Sequence, residues 1–323
     1  SAVLSMFIDS ITVVLFLTAI TIELSGLLKF NPVYMILPEI FCANLGGAAT
    51  MSGDPPNIII GTSLGLTFMD FLTNTGIIIL IALIAMIIYF YLCFAKKLKE
   101  GSHMADSSAM PDPSSAISNR LGFMISTMIF LMVVFLLVTH AQTGITVASI
   151  GIIAAVLTLV TSVDVKGGLL RGIDWKTIYF FIGLFVVVGG LEQTHILDLL
   201  ADLISRASGG HVMVMVCVIL WFSALASAII DNIPFAATMV PVIKALAITQ
   251  GIPVETLAWT LALGTDIGGN ATPIGASANV VGTSIASRNG HHITWGQYCR
   301  YALPATILCL VICTVMLYIL HVR

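Results

Sequence analysis

Four aspartates, Asp9, Asp54, Asp231 and Asp266, stand inside long apolar stretches of this 323-residue chain. On insertion scales a charged Asp at mid-bilayer costs about 2.5–3.5 kcal/mol, so four cost on the order of 10 kcal/mol if nothing compensates. Basic partners are scarce, since Lys244 and Arg300 fall near the ends of apolar runs. Compensation must then come from hydration, a bound cation, the positive end of a helix, or protonation. A bound cation or helix end describes ion binding, and protonation describes proton coupling. Side chains with amide or hydroxyl groups accompany the aspartates. Ser10 follows Asp9, and Asn232 follows Asp231. Thr50 and Asn57 flank one glycine-rich segment, and Asn270, Thr272 and Asn279 occupy another. These eleven residues are the candidate substrate- and ion-binding set.

Composition says what must position them. Hydrophobic residues make up 58% of the chain, charged residues 9%, and mean hydropathy is +1.06. A soluble domain carries about 25% charged residues. A soluble globular enzyme, a disordered chain and a nucleic-acid binder are therefore excluded, and a formal charge of -3 offers no basic footprint. The chain reads as an all-α polytopic membrane protein whose first partner is the lipid bilayer. Cys42, Cys93, Cys217, Cys299, Cys309 and Cys313 are scattered without CxxC or His spacing and read as small core residues. His291 and His292 read as part of a solvated loop.

Uninterrupted apolar runs long enough to cross hydrocarbon lie at 69–95, 120–139, 143–163, 174–190 and 297–320. Three regions are apolar but interrupted: 1–29 by Asp9-Ser10, 32–62 by Gly46-Gly47 and Gly53 to Asn57, and 254–285 by Gly268 to Asn279. The stretch 210–249 holds Asp231 to Pro234 at its middle and reads as a hairpin entering and leaving on one side. Lys96, Lys97, Lys99, Lys166, Arg171, Lys176 and Arg288 set the orientation: all three loops lie in the cytoplasm, and the first broken helix runs opposite to the second. Residues 191–207 read as an amphipathic helix at the membrane surface. The Ser-, Pro- and Asp-containing segment 96–119 reads as a flexible cytoplasmic linker. Its Gly101 to Met104 string has the form of a tag-cleavage remnant and carries no functional weight.

An internal repeat organises the rest. Ser1 to Ile11 matches Ser223 to Ile233, and Gly46 to Asn57 matches Gly268 to Asn279. The Asp9/Asp231 and Asn57/Asn279 pairs are both 222 residues apart. Two motif pairs holding one offset point to duplication, and the opposed orientation makes the copies inverted repeats, as in many secondary transporters. The copies are assigned to 1–95 and 120–323. By the same offset the first copy would begin about a hundred residues before Ser1, so a fragment, or a start not included, is expected.

Non-helical backbone at membrane depth survives only where it is buried in protein or lines a watery cavity. The two glycine-rich segments are such breaks, and Pro55 and Pro56 prevent the helix from continuing. Each break frees N–H groups on one side and carbonyls on the other. With the turns at Asp9 and Asp231, four such features converge on one midplane site. Plainer roles run alongside. Asp9 and Asp231 could be N-caps, Asn57 and Asn279 could tie the breaks to neighbouring carbonyls, and Ser5, Thr50, Ser227 and Thr272 could be packing residues. The glycine pairs could serve close helix packing, and Asp54 could stabilise the turn before Pro55.

At these motifs the sequence resembles the ion transporter superfamily, in particular its arsenical-pump, sodium/proton-antiporter and melanosomal P-protein branch. Gly46 to Thr50 with Gly53 to Asn57, Ser227 to Pro234, Gly268 to Asn279, and Tyr179 to Glu192 carry the resemblance. It implies two re-entrant helical hairpins, two broken transmembrane helices, and a homodimer in which a transport domain moves against a scaffold as an elevator. It implies substrate or ion binding at Asp9, Ser10, Asn57, Asp231, Asn232 and Asn279. Either a proton or a sodium ion near Asp9, Asn57, Asp231 and Asn279 would be the coupling ion, with no other cofactor. The first turn reads Asp-Ser here where the branch has Asp-Asn. The dicarboxylate branch has Ser-Asn-Thr at its tips, and the carboxylates found here repel a di-anion. The resulting expectation is a secondary active transporter in the cell (inner) membrane, exchanging arsenite or antimonite against protons or sodium. A sodium/proton antiporter, a dicarboxylate or other anion symporter, and an ion channel are the rivals. An intramembrane protease is disfavoured because Gly264-Thr265-Asp266 lacks the second glycine of GxGD and no HExxH occurs.

Overall fold

A computed structural model describes residues 1–99, 119–161, 175–194 and 196–322. All regular structure among them is helical. The helices are α1 (Ala2–Ser5), α2 (Ser10–Leu28), α3 (Val33–Gly47), α4 (Pro55–Leu64), α5 (Phe68–Lys99), α6 (Arg120–Thr143), α7 (Val147–Thr161), α8 (Trp175–Gln193), α9 (Ile196–Ser208), α10 (Val212–Ser227), α11 (Asn232–Gln250), α12 (Val254–Gly268), α13 (Ser277–Arg288) and α14 (Trp295–Leu317). The chain forms two compact units, Ser1–Asp106 with Val188–Arg323, and Ser107–Val187. In the smaller unit α6 packs on α7, with Asn119 capping α6 and Gly144 ending it in the left-handed region. Most of the linker and the loop bearing Lys166 and Arg171 lie outside the described residues.

Sequence signals account for the boundaries in the larger unit. Asp9 caps α2 by accepting from Thr12 N at 3.3 Å, and Asp231 caps α11 by accepting from Ile233 N at 3.0 Å. Pro55 opens α4, where its missing N–H costs nothing. Gly65 and Gly251 close α4 and α11 at φ +73° and +65°, a region that favours glycine. The α5 helix is apolar all round, so its inward face is defined by packing. It buries Phe71, Ile78, Ala82, Met86, Phe90 and Phe94 and leaves Ile77, Leu80, Ile84, Ile88 and Leu92 outside. Such an exterior suits lipid, and the chain is a multi-pass integral membrane protein.

Five helical segments are long and apolar enough to cross a bilayer: Ser10–Leu28, Phe68–Leu98, Arg120–Thr143, Asn232–Gln250 and Trp295–Val322. Three contain the expected spans at 69–95, 120–139 and 297–320. The runs at 143–163 and 174–190 map instead to shorter apolar helices, Val147–Thr161 and Ile178–Leu191. Gly144 takes the first residues of the former run into a turn. Conversely, α2 and α11, read from sequence as hairpin arms, are each 19 residues long and pass the length and composition test alone. The expected surface helix starts later than position 191, since Leu191 belongs to α8. In α9, Leu197, Ala201 and Ile204 are buried, with the helix packed on α10 and α11, while Ile196, Leu199 and Leu203 stay exposed.

The repeat is visible in the contacts. Against α3, α1 packs as α10 does against α12, and each copy's post-break helix packs on the other copy: α4 on α11 and α13 on α2. Close approach explains one glycine in each pair. A Cβ on Gly46 would collide with the backbone of Ala2, and one on Gly268 with that of Ala224, 222 positions later.

Candidate ion and substrate site

A small cavity is lined by the first residues of four helices: Ser10 of α2, Pro55 of α4, Asn232 of α11 and Ser277 of α13. Asp54 borders it too, with Ala276 at the matching place in the second copy. Each helix start directs N–H groups and the positive end of its dipole toward the cavity. Three aspartates meet that field. Asp9 and Asp231 cap α2 and α11, and Asp231 also accepts from Ser277 Oγ at 3.2 Å. Asp54 stands at the N-cap position of α4 without making a capping bond, and the Asn232 side chain faces it. Asp54 is within electrostatic reach of Asp266, Asp9 and Asp231. The four carboxylates expected from sequence to act together therefore share one neighbourhood.

The breaks are held by two identical sets of hydrogen bonds. Asn57 Nδ2 donates to the carbonyls of Gly47 and Thr50, both at 3.2 Å, and Asn279 Nδ2 donates to those of Gly269 and Thr272, both at 2.8 Å. The Thr50 hydroxyl donates to the Met6 carbonyl, and that of Thr272 to the Ala228 carbonyl, so each break is tied to the turn of its own copy. Carbonyls freed by leaving the helix are thus satisfied from side chains, as buried backbone requires. The amide-staple and packing roles are realised at these four residues.

Behind the cavity the symmetry fails in one place. Asn44 on α3 donates from Nδ2 to Asn279 Oδ1 and to Asn270 Oδ1, both at 2.8 Å. The position 222 residues after Asn44 is Asp266. Asp266 is 1% exposed, and neither carboxyl oxygen meets a donor in hydrogen-bonding geometry. Its polar neighbour is Asn57, whose Oδ1 is also without a partner. Since Asn57 Nδ2 is committed to two carbonyls, its Oδ1 is the atom left over. One copy places at this junction an amide that donates twice, whereas the other places a carboxylate with neither oxygen in full hydrogen-bonding geometry.

Of the candidate residues, Ser10, Asp54 and Asn232 line the cavity, and Asp9 and Asp231 cap helices at its edge. Thr50, Asn57, Thr272 and Asn279 brace the breaks, and Asp266 and Asn270 sit at the junction behind. Sequence reasoning missed Ser277 and Asn44. The offset would have found both, because it places them opposite Pro55 and Asp266. Among the described residues no group of three His, Cys, Asp or Glu is arranged to hold a metal ion.

Residues 1–264 match the family described as Citrate transporter. The chain belongs to that family. Relatives share most of its length. An uncharacterized transporter of Mycobacterium tuberculosis is 36% identical over 322 residues, covering 99% of this chain and 75% of the relative. An uncharacterized transporter of Synechocystis is 27% identical over 306 residues, covering 88% and 67%. The human P protein is 29% identical over 403 residues, covering 99% of this chain and 47% of its own. The expected kinship with the ion transporter superfamily and its P-protein branch is thereby established, and the chain is a membrane transporter of that family.

Proposed function

We propose a secondary active transporter that couples cargo movement to a proton or a sodium ion held by the aspartates. The carrying observation is Asp266, a buried carboxylate beside Asn57 with neither oxygen in full hydrogen-bonding geometry. A buried acceptor left unpaired costs about 1–3 kcal/mol, more for a charged group. A bound proton or sodium ion supplies the missing positive partner, and Asp54 links this junction to the cavity. Sodium near Asp9, Asn57, Asp231 and Asn279 is the alternative placement of the same ion.

The cargo favoured by three aspartates around a small cavity is neutral or cationic, of the arsenite or antimonite type, with sodium/proton exchange alone as its simplest form. A second reading is anion symport. Four helix starts on one cavity favour an anion, and the family's description names citrate. A channel fits two paired breaks less well than alternating access does. In this reading the α1–α2 and α10–α11 pairs act as re-entrant hairpins, in a homodimeric elevator of the cell (inner) membrane. The repeats at 1–95 and 120–323 are joined by the linker 96–119.

Proteoliposomes loaded with a pH dye test this. Proton movement driven by a sodium gradient alone identifies an antiporter. Movement that needs arsenite or antimonite identifies metalloid exchange, and movement that needs citrate identifies anion symport. Cargo flux that ignores both gradients overturns ion coupling.

A further inference from the structure

A second cavity, of about 420 Å³, lies where α3, α5 and α14 meet, remote in sequence from the breaks. Lys97 and Arg300 line it, with Tyr34, Tyr301, Gly296 and Gln297. Lys97 Nζ donates to Tyr301 Oη and lies 4.7 Å from the ring centroid of Tyr34 and 5.0 Å from that of Tyr301. The ammonium is thus held in place by aromatic faces. The Arg300 guanidinium is 5.9 Å from the Tyr301 ring. Among the described residues the groups that act on Lys97 are Tyr301, Tyr34 and Arg300, none of them a carboxylate. Two cations therefore share one cavity and repel each other. Tyr89 Oη donates to the Tyr301 carbonyl at 3.0 Å, which fixes α5 to α14 beside it.

The surroundings show what would fill it. Lys96 and Lys99 adjoin Lys97 in sequence, with Glu100 next, so this end of α5 carries a net positive charge and, by the positive-inside rule, is cytoplasmic. Trp295, beside Gly296, is 53% exposed, as interfacial tryptophans are. Leu303, about one helical turn deeper on α14 and near the Arg300 face, is 45% exposed and gives an acyl chain a surface to lie on. At the start of α14 the N–H groups of Trp295 and Gly296 precede any carbonyl of their own helix and add donors facing the same end.

We propose that this cavity binds the phosphate of an anionic phospholipid headgroup, with Lys97 and Arg300 as its charge partners. Basic pockets between transmembrane helices on the cytoplasmic side take such headgroups. The site is independent of the transport reading.

Native mass spectrometry of the whole protein with phosphatidylglycerol or phosphatidylcholine tests it. The expected result is at least tenfold preferential retention of phosphatidylglycerol, lost in K97Q/R300Q and reduced in R300Q, whose exposed side chain can be changed without disturbing the core. R300K should keep most of it. Equal retention of both lipids, or a preference unchanged in R300Q and the double variant, overturns the proposal. Inorganic phosphate binding without phosphatidylglycerol preference overturns it too, and reassigns the cavity to a soluble anion.

Discussion

The two helix breaks, one between α3 and α4 and the other between α12 and α13, differ in chemistry far more than in construction. Both are stapled by an asparagine to two carbonyls, both send a threonine hydroxyl to the preceding turn, and both rest on a glycine that admits a neighbouring backbone. Yet Asn44, Asp54 and Pro55 of the first copy stand opposite Asp266, Ala276 and Ser277 of the second. The shared set makes the break possible. The unshared set decides what it holds. A duplicated scaffold can thus keep its construction while its two sides carry different chemistry.

Replacing Asp266 by Asn sharpens this most, because it makes the second copy resemble the first. Its side chain then carries no charge and brings an N–H donor of its own. Ion-coupled flux should vanish while the melting temperature holds or rises, and coupled flux surviving in the purified variant would remove Asp266 from the mechanism. The next effect in size is steric. Gly46→Ala and Gly268→Ala each drive a methyl group into backbone, so each should cost about 1–3 kcal/mol or prevent folding. Denaturation in detergent checks whether the two costs match, as equivalent positions require.

Smaller effects follow at the staples. Thr50→Val and Thr272→Val each remove one partly buried hydrogen bond between break and turn, worth about 0.5–1.5 kcal/mol, and should be equal within error. A large difference in unfolding midpoint would show that the two breaks are held differently. The smallest effect lies at the caps. Asp9→Ala should cost about 1 kcal/mol as a lost N-cap, and Asp231→Ala slightly more, because Ser277 also loses its acceptor. Their stabilities relative to Asp9→Asn and Asp231→Asn, which keep a capping oxygen, separate capping from ion binding measured as flux.

Much of this was legible in sequence because polar residues in apolar runs have few permitted roles. The offset between Asp9 and Asp231 located both turns, and Gly-Gly followed by Pro-Pro-Asn located the first break. Helix lengths were harder to read. Apolar composition continues through Gly144, so a turn hides inside a hydrophobic run, and α2 and α11 run farther than hairpin arms need. The Asn44–Asp266 contrast also escaped, although the letters were present, because an asparagine within an apolar helix signals nothing until its acceptors are known. Those acceptors lie 226 and 235 residues away in the chain.

That long reach makes the two copies interdependent. Asn44 spends its amide hydrogens on side chains belonging to the other copy. A polypeptide with one copy alone would bury a donor with nothing to receive it, and its post-break helix would have no partner surface. Each half of the seam is therefore completed by the other, and the two copies depend on each other for burial.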